Sequence, residues 1–359
     1  MAQKVADLTW RILLTLLLTL ILLSACASPK GYGENSKGKK YSNYALPISQ
    51  RTFYIGLVPT PKNSPSTTFE DITAAYEETG RIAEVVMIWV RKQGIGELEV
   101  LKKNRIIEGV RVYGLKPVIT LNFATIKQAE GGLTYVVDAP EDVPAELTDA
   151  TFRARWVKEA KELALMYKPE YFSLGNEIND YFYLHPEKLD AYLTLFDEAK
   201  AAIKEVSPTT KVFVVFSYNR IIENNQWDIL KKFDSRADLI GLTTYPWKQY
   251  RKPEDIPMHY YSQLTRYVSK PIAFTEIGWA SAPPSSEKQQ SKFLLRFLEL
   301  TKSLDIEMVN WLFLHEMKPG GIAGKISRTE TATIALKKSD GTKKDIYFLW
   351  LDLKALPKK

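Results

Sequence analysis

Eight short runs of apolar and β-branched residues recur along the chain from about residue 51, with helix-length stretches between them. That repeat constrains the fold more than any other feature. The runs are Phe53–Val58, Glu84–Val90, Pro117–Asn122, Tyr171–Gly175, Lys211–Ser217, Leu239–Tyr245, Pro271–Glu276 and Glu307–Leu314. Several are apolar without alternation, the pattern of strands buried on both faces. Helical patterns occupy Phe152–Met166, Pro186–Val206 and Glu287–Ser303, the last preceded by a Pro-Pro-Ser-Ser start signal. Eight β/α units spaced by roughly 25 to 50 residues predict an α/β protein with a single (β/α)8 TIM barrel over 51–359. A doubly wound sheet is the alternative, but Gly56-Leu57-Val58-Pro59 after the first strand lacks a Gly-rich phosphate loop. The long insertion from Phe123 to Ala150 reads as a loop on the C-terminal face of the barrel, where active sites are built.

The start of the chain reads as processing. Lys4 and Arg11 precede an apolar run, Ile12 to Leu23, that ends in Ser24-Ala25-Cys26. About 12 apolar residues fall short of the roughly 20 that cross a bilayer, so residues 1–25 are expected to be a signal peptide. The Leu23-Ser24-Ala25-Cys26 string resembles the bacterial lipoprotein signal, which implies that Cys26 is lipidated. Residues 26–50, with four Lys against one Glu, read as the lipidated Cys and a flexible tether. These features predict a cell-envelope protein held to a membrane through its N-terminal lipid. The resemblance favours the outer membrane where there are two, because Ala27 stands where an Asp would retain the protein on the inner one; otherwise the outer face of the cell membrane is expected.

Charge and composition exclude other classes. The signal carries +1 and the tether +3 of the net +7, leaving +3 on the barrel, too little for a nucleic-acid face. One Cys and three His leave no disulfide framework and no expected metal site. No cofactor is expected, and a monomer is.

In a barrel, the polar residues at the C-terminal ends of strands are the candidates for chemistry. Those ends carry Trp89 and Arg91, Asn122, Gly175-Asn176-Glu177, Ser217-Tyr218-Asn219, Tyr245-Pro246-Trp247, Thr275-Glu276 with Trp279, and Trp311 with His315. Two carboxylates across an aromatic-lined cleft suit glycoside hydrolysis, one protonating the leaving oxygen while the other attacks. Trp89, Trp247, Trp279 and Trp311 are candidates to stack on sugar, whose C–H faces are apolar. His185, His259 and His315 read as structural, with His315 close enough to the eighth strand's end to reach a ligand.

Leu174-Gly175-Asn176-Glu177 and Phe274-Thr275-Glu276-Ile277-Gly278-Trp279 resemble the signature of the clan of retaining (β/α)8 glycoside hydrolases with catalytic Glu on strands four and seven. The resemblance implies that Glu177 is the general acid/base and Glu276 the nucleophile. It further implies that Asn176 contacts the sugar 2-hydroxyl, that Tyr245 hydrogen-bonds the nucleophile, and that Trp311 floors the subsite of the cleaved sugar. Asp238 to Pro246 and Thr275 to Trp279 are most similar to the endo-β-1,4-galactanases and more loosely to endo-β-1,3-glucanases. The Arg that galactanases carry within strand two has only Arg91 as counterpart, and their Trp-Ala-Asp-Pro loop after strand three is missing.

The substrate expected is therefore a β-linked polysaccharide or oligosaccharide, with hydrolysis or transglycosylation as the outcome. Of the two carboxyls, Glu276 is expected to ionise the more readily, helped by Tyr245. A non-catalytic, glycan-binding lipoprotein is the second reading. A barrel acting on phosphorylated substrates is a third, hinted at only by Gly320 to Lys325.

Overall fold

The computed structural model describes residues 40–64, 66–90, 105–129, 132–139, 142–318 and 330–359. Cys26, Arg91 and Gly320 to Lys325 lie outside them. From Tyr41 onward the chain forms one compact unit. Its parallel barrel consists of β1 (Tyr54–Val58), β2 (Val85–Val90), β3 (Lys116–Leu121), β6 (Tyr171–Ser173), β7 (Lys211–Ser217), β8 (Leu239–Thr244), β9 (Ile272–Ile277) and β10 (Ile306–His315), and it closes by pairing β1 with β10. Barrel strands four and seven are thus β6 and β9. The remaining strands are β4 (Ala124–Ala129) and β5 (Gly132–Val137), an antiparallel hairpin, and β11 (Ala335–Lys337), which extends the end of β10.

Helices α1 (Phe69–Ile82), α2 (Ile106–Val112), α3 (Ala150–Tyr167), α4 (Ile178–Leu184), α5 (Leu189–Val206), α6 (Tyr218–Asn224), α7 (Trp227–Asp234), α8 (Glu287–Leu300) and α9 (Asp345–Ala355) connect these strands. Start signals in the sequence are used where they occur. Thr68 and Asp71 form a reciprocal capping box at α1, Asp149 accepts the Phe152 amide at α3, and Ser286 accepts the Gln289 amide at α8.

The sixth β/α unit departs from the expected repeat. Between β8 and β9 the chain makes three short 3₁₀ turns, Pro246–Lys248, Pro253–Asp255 and Ser262–Arg266, in place of an α-helix. Pro246, Pro253 and Pro257 each remove an amide donor, which stops a longer helix from forming there. The insertion after β3 also differs from a plain loop, since β4 and β5 pair in register from Ala124↔Val137 to Ala129↔Gly132.

Two cores hold the barrel. Inside it pack Val85, Met87, Val118, Tyr171, Phe213, Val215, Leu239, Ala273 and Met308, with Tyr54, Val58 and Trp89 against them. The larger core lies between the strands and the helices, and there Trp156, Trp279, Trp311 and Trp350 are fully buried.

Residues 41–50, assigned to the tether from sequence, lie on this barrel unit. The Tyr41 and Ser42 amides and the Ser42 hydroxyl all donate to the Asp352 carboxylate on α9. Tyr44, Leu46 and Ile48 pack on the larger core. At the foot of the barrel the Arg51 amide donates to the Pro357 carbonyl, and the Arg51 carbonyl accepts from the Lys359 amide.

Candidate active site

The end of β6 brings Glu177 to the barrel mouth through an uncommon backbone. Gly175 has φ +151°, and a Cβ there would lie 2.6 Å from Ile178 and 3.1 Å from the Tyr192 hydroxyl. Glu177 itself sits in the left-handed region at φ 50°, ψ 41°, which a side chain with a Cβ rarely adopts. The surroundings hold it there. Phe123 packs edge-on to Tyr181 and face-to-face with Phe182 behind this turn, and the Tyr192 hydroxyl donates to the Leu174 carbonyl. Fully buried Asn179 on α4 exchanges bonds with the Ser217 backbone and with Gln226. The Asn176 amide donates to Asn122 Oδ1 at 3.0 Å, so Asn122 steadies the Asn-Glu pair.

Glu276 reaches the same space by a β-bulge. Along β9, Ala273 pairs with Gly241 and Glu276 with Thr243, a step of three residues against two; the β10 side shows the same extra residue, Phe274 and Ile277 facing Val309 and Trp311. Strict alternation from inward-facing Ala273 would send Glu276 outward. The extra residue restores it to the inner face.

Strand β8 supplies a hydroxyl to each carboxylate. Thr243 and Tyr245, two residues apart and hence on one face of the strand, reach Glu177 and Glu276 respectively. Thr243 Oγ1 donates to Glu177 Oε1 at 2.6 Å, and the Tyr245 hydroxyl donates to Glu276 Oε2. Asn219 pins Tyr245 by accepting its amide at 2.7 Å and donating to its carbonyl at 3.3 Å.

Glu276 does not ionise readily, contrary to expectation. It is 8% exposed, and loss of water together with the Glu177 charge pushes its carboxyl up to about 8, against the opposing bonds from Tyr245 and Asn176. Asp180, three residues past Glu177, is pushed up to about 6 by burial and by Glu177, with Tyr135, Arg220 and Lys248 opposing.

The four tryptophans divide. Trp89 packs beside the interior cluster and Trp247 follows β8; both are partly exposed at the mouth. Trp279 and Trp311 are not at the mouth. Trp311 is three residues from inward-facing Met308, so it points out to the helices, against Phe293 on α8 and Trp350 on α9. Trp279 is 1% exposed, stacks toward Phe293 and donates to Ser285 Oγ at 2.8 Å. His315 is buried, its Nδ1 2.8 Å from the Thr60 carbonyl, and takes a structural place. Sequence reasoning missed Thr243, Asn179 and Asp180, whereas Asn219, a candidate at the end of the fifth strand, holds Tyr245. Thr243 was findable from its spacing of two from Tyr245, and Asp180 from its spacing of three from Glu177 on a helix. Among the described residues no group of three His, Cys, Asp or Glu side chains is arranged to hold a metal ion.

The model of glycosyl hydrolase family 53 matches residues 160–308, from within α3 into β10, including both glutamates. Over that stretch the chain is similar to glycosyl hydrolase family 53. The barrel also resembles solved structures. An exo-β-1,4-mannosidase from an Opitutaceae bacterium superposes with a TM-score of 0.66 at 13% identity, over 88% of this chain and 61% of that one. The Streptomyces cattleya GH5_18 protein, solved with GlcNAc, gives 0.63 at 12% identity over 85% and 80%. The GH53 catalytic domain of Ignisphaera aggregans gives 0.53 at 12% identity over 89% of this chain and 100% of that one. At such identities the likeness is one of fold. No curated protein sequence matches the chain significantly.

Proposed function

We propose that this chain, similar to glycosyl hydrolase family 53 over 160–308, is a retaining β-glycosidase that cleaves β-linked polysaccharide or oligosaccharide by double displacement. One observation carries the reading: β8 gives one hydroxyl to Glu177 and one to Glu276, holding two carboxyl groups from β6 and β9 at one mouth. In the first step a Glu276 oxygen bonds to the anomeric carbon as the glycosidic C–O bond breaks, and Glu177 gives its proton to the leaving oxygen. In the second, Glu177 takes a proton from water, whose oxygen bonds to the anomeric carbon and frees Glu276. Asn176, Trp89 and Trp247 are the groups nearest to hand for binding sugar, and Asn122 holds Asn176 in place.

The test is activity of residues 41–359 on β-glucans, galactans, mannans and xylans, with Glu276→Ala as the blank. Hydrolysis that disappears in the blank, yielding a product of retained configuration, is the expected result. Binding by both proteins with turnover by neither selects the glycan-binding reading. We further propose that Cys26 carries a lipid that keeps the enzyme at the cell surface, a reading supported by the apolar run and the Leu23-Ser24-Ala25-Cys26 string. The Cys26→Ser protein is then expected in the soluble fraction and the wild type in membranes. Equal partition of the two proteins would exclude the anchor.

A further inference from the structure

A retaining pair needs its shared proton on the acid and not on the nucleophile, and burial works against that arrangement. Glu276 is the deeper of the two carboxyls, so desolvation alone draws the proton to it. A third carboxylate stands beside Glu177. The Asp180 amide donates to the Glu177 carbonyl at 3.1 Å, and the Asp180 side chain is 11% exposed. The Tyr135 hydroxyl on β5 donates to Asp180 Oδ2 at 2.9 Å, while Oδ1 is buried and has no hydrogen-bond partner among the described residues. Arg220 Nε on α6 is 4.0 Å from Oδ1, and its Nη1 is engaged by Glu223 at 3.0 Å. Lys248, on the turn after β8, holds its ammonium 5.1 Å from the centre of the Tyr245 ring. The charged and titratable groups facing Asp180 are therefore Glu177, Tyr135, Arg220 and Lys248, from four different elements. Among the described residues no cation is hydrogen-bonded to its negative charge, which stands three residues past the acid.

We propose that Asp180 is a positioning residue for the catalytic proton: its charge, fixed beside Glu177 by Tyr135, biases the proton shared by Glu177 and Glu276 toward Glu177. The inference rests on the retaining reading above. Asp180 neither gives nor takes a proton during turnover; the proton goes from Glu177 to the leaving oxygen while Glu276 bonds to the anomeric carbon.

Because Asp180 itself titrates at about 6, its bias is present above that pH and absent below it. The experiment compares kcat/KM for wild type and Asp180→Asn from pH 5 to pH 8, on the panel polysaccharide that the wild type cleaves fastest. The expected ratio is close to one at pH 5 and grows to roughly tenfold at pH 8, and Asp180→Glu recovers part of it. A ratio that does not change with pH marks a merely structural role and overturns the inference. Thermal unfolding at pH 8 supplies a second arm that needs no substrate. Asp180→Asn and Glu177→Gln are each expected to raise Tm, and the double variant to gain less than their sum; strict additivity also overturns the inference. Wild-type inactivity on the whole panel overturns the hydrolase reading instead, and the unfolding arm still decides whether the two carboxylates are coupled.

Discussion

Glu276 is a carboxyl placed where water cannot solvate its charge, and that has a consequence for stability whose sign is fixed. Its folded pKa, about 8, lies above the ordinary 4.5, so the folded protein holds a proton that the unfolded chain has released. Stability from this group is therefore fully present below about pH 4.5 and is lost as pH rises to about 8. Glu276→Gln removes that dependence. The variant is expected to match wild type in thermal unfolding near pH 4 and to exceed it above pH 8, by on the order of a few kcal/mol. Equal stability at both pH values would show that the carboxylate is better solvated than its 8% exposure implies. Glu177 stores its cost differently, in a left-handed backbone that Phe123, Asn179 and Tyr192 hold in place. Both glutamates were legible as residue types at strand ends. Asp180 was readable as an acid three residues past Glu177, but its anchor was not, because that is a hairpin tyrosine 45 positions earlier in the chain.

At the scale of the element, β8 is the part that makes two carboxylates into a pair. Thr243→Val keeps the shape of the strand and removes the donor to Glu177; Tyr245→Phe does the same for Glu276. Each single change is expected to lower kcat by about tenfold or more, with unfolding little altered for Thr243→Val. The double change is expected to cost less than the product of the two, since both hydroxyls act on one coupled pair. Multiplicative losses would separate the two bonds. The strands themselves were readable to within a residue or two, since buried parallel strands such as Lys211–Ser217 are nearly unbroken apolar runs. Three features were not readable. The β4–β5 hairpin depends on pairing across a turn in a mixed polar stretch, the sixth unit breaks up at its prolines, and the face shown by a strand end depends on local parity. That last point misdirected Trp311, which Met308 three positions earlier would have sent outward.

For the whole molecule, the larger core continues past the barrel onto residues 41–50, through Tyr44, Leu46 and Ile48. A protein beginning at residue 51 loses those contacts and leaves Asp352 without its three bonds from Tyr41 and Ser42. It is expected to unfold several degrees lower than one beginning at Tyr41, with about 1–3 kcal/mol lost for each well-buried apolar side chain and less for half-buried ones. Identical Tm values would mean that this segment lies on the barrel without stabilising it. The ring of strands gives the molecule a direction: Glu177, Tyr245 and Glu276 stand at the C-terminal ends of their strands, whereas Arg51 is joined to Pro357 and Lys359 at the opposite end. A substrate that approaches the rim therefore meets the strand ends that carry the two carboxyls and not the seam between Arg51 and the last residues, so changes in that seam are free to alter how firmly the ring is closed without altering the shape a substrate meets.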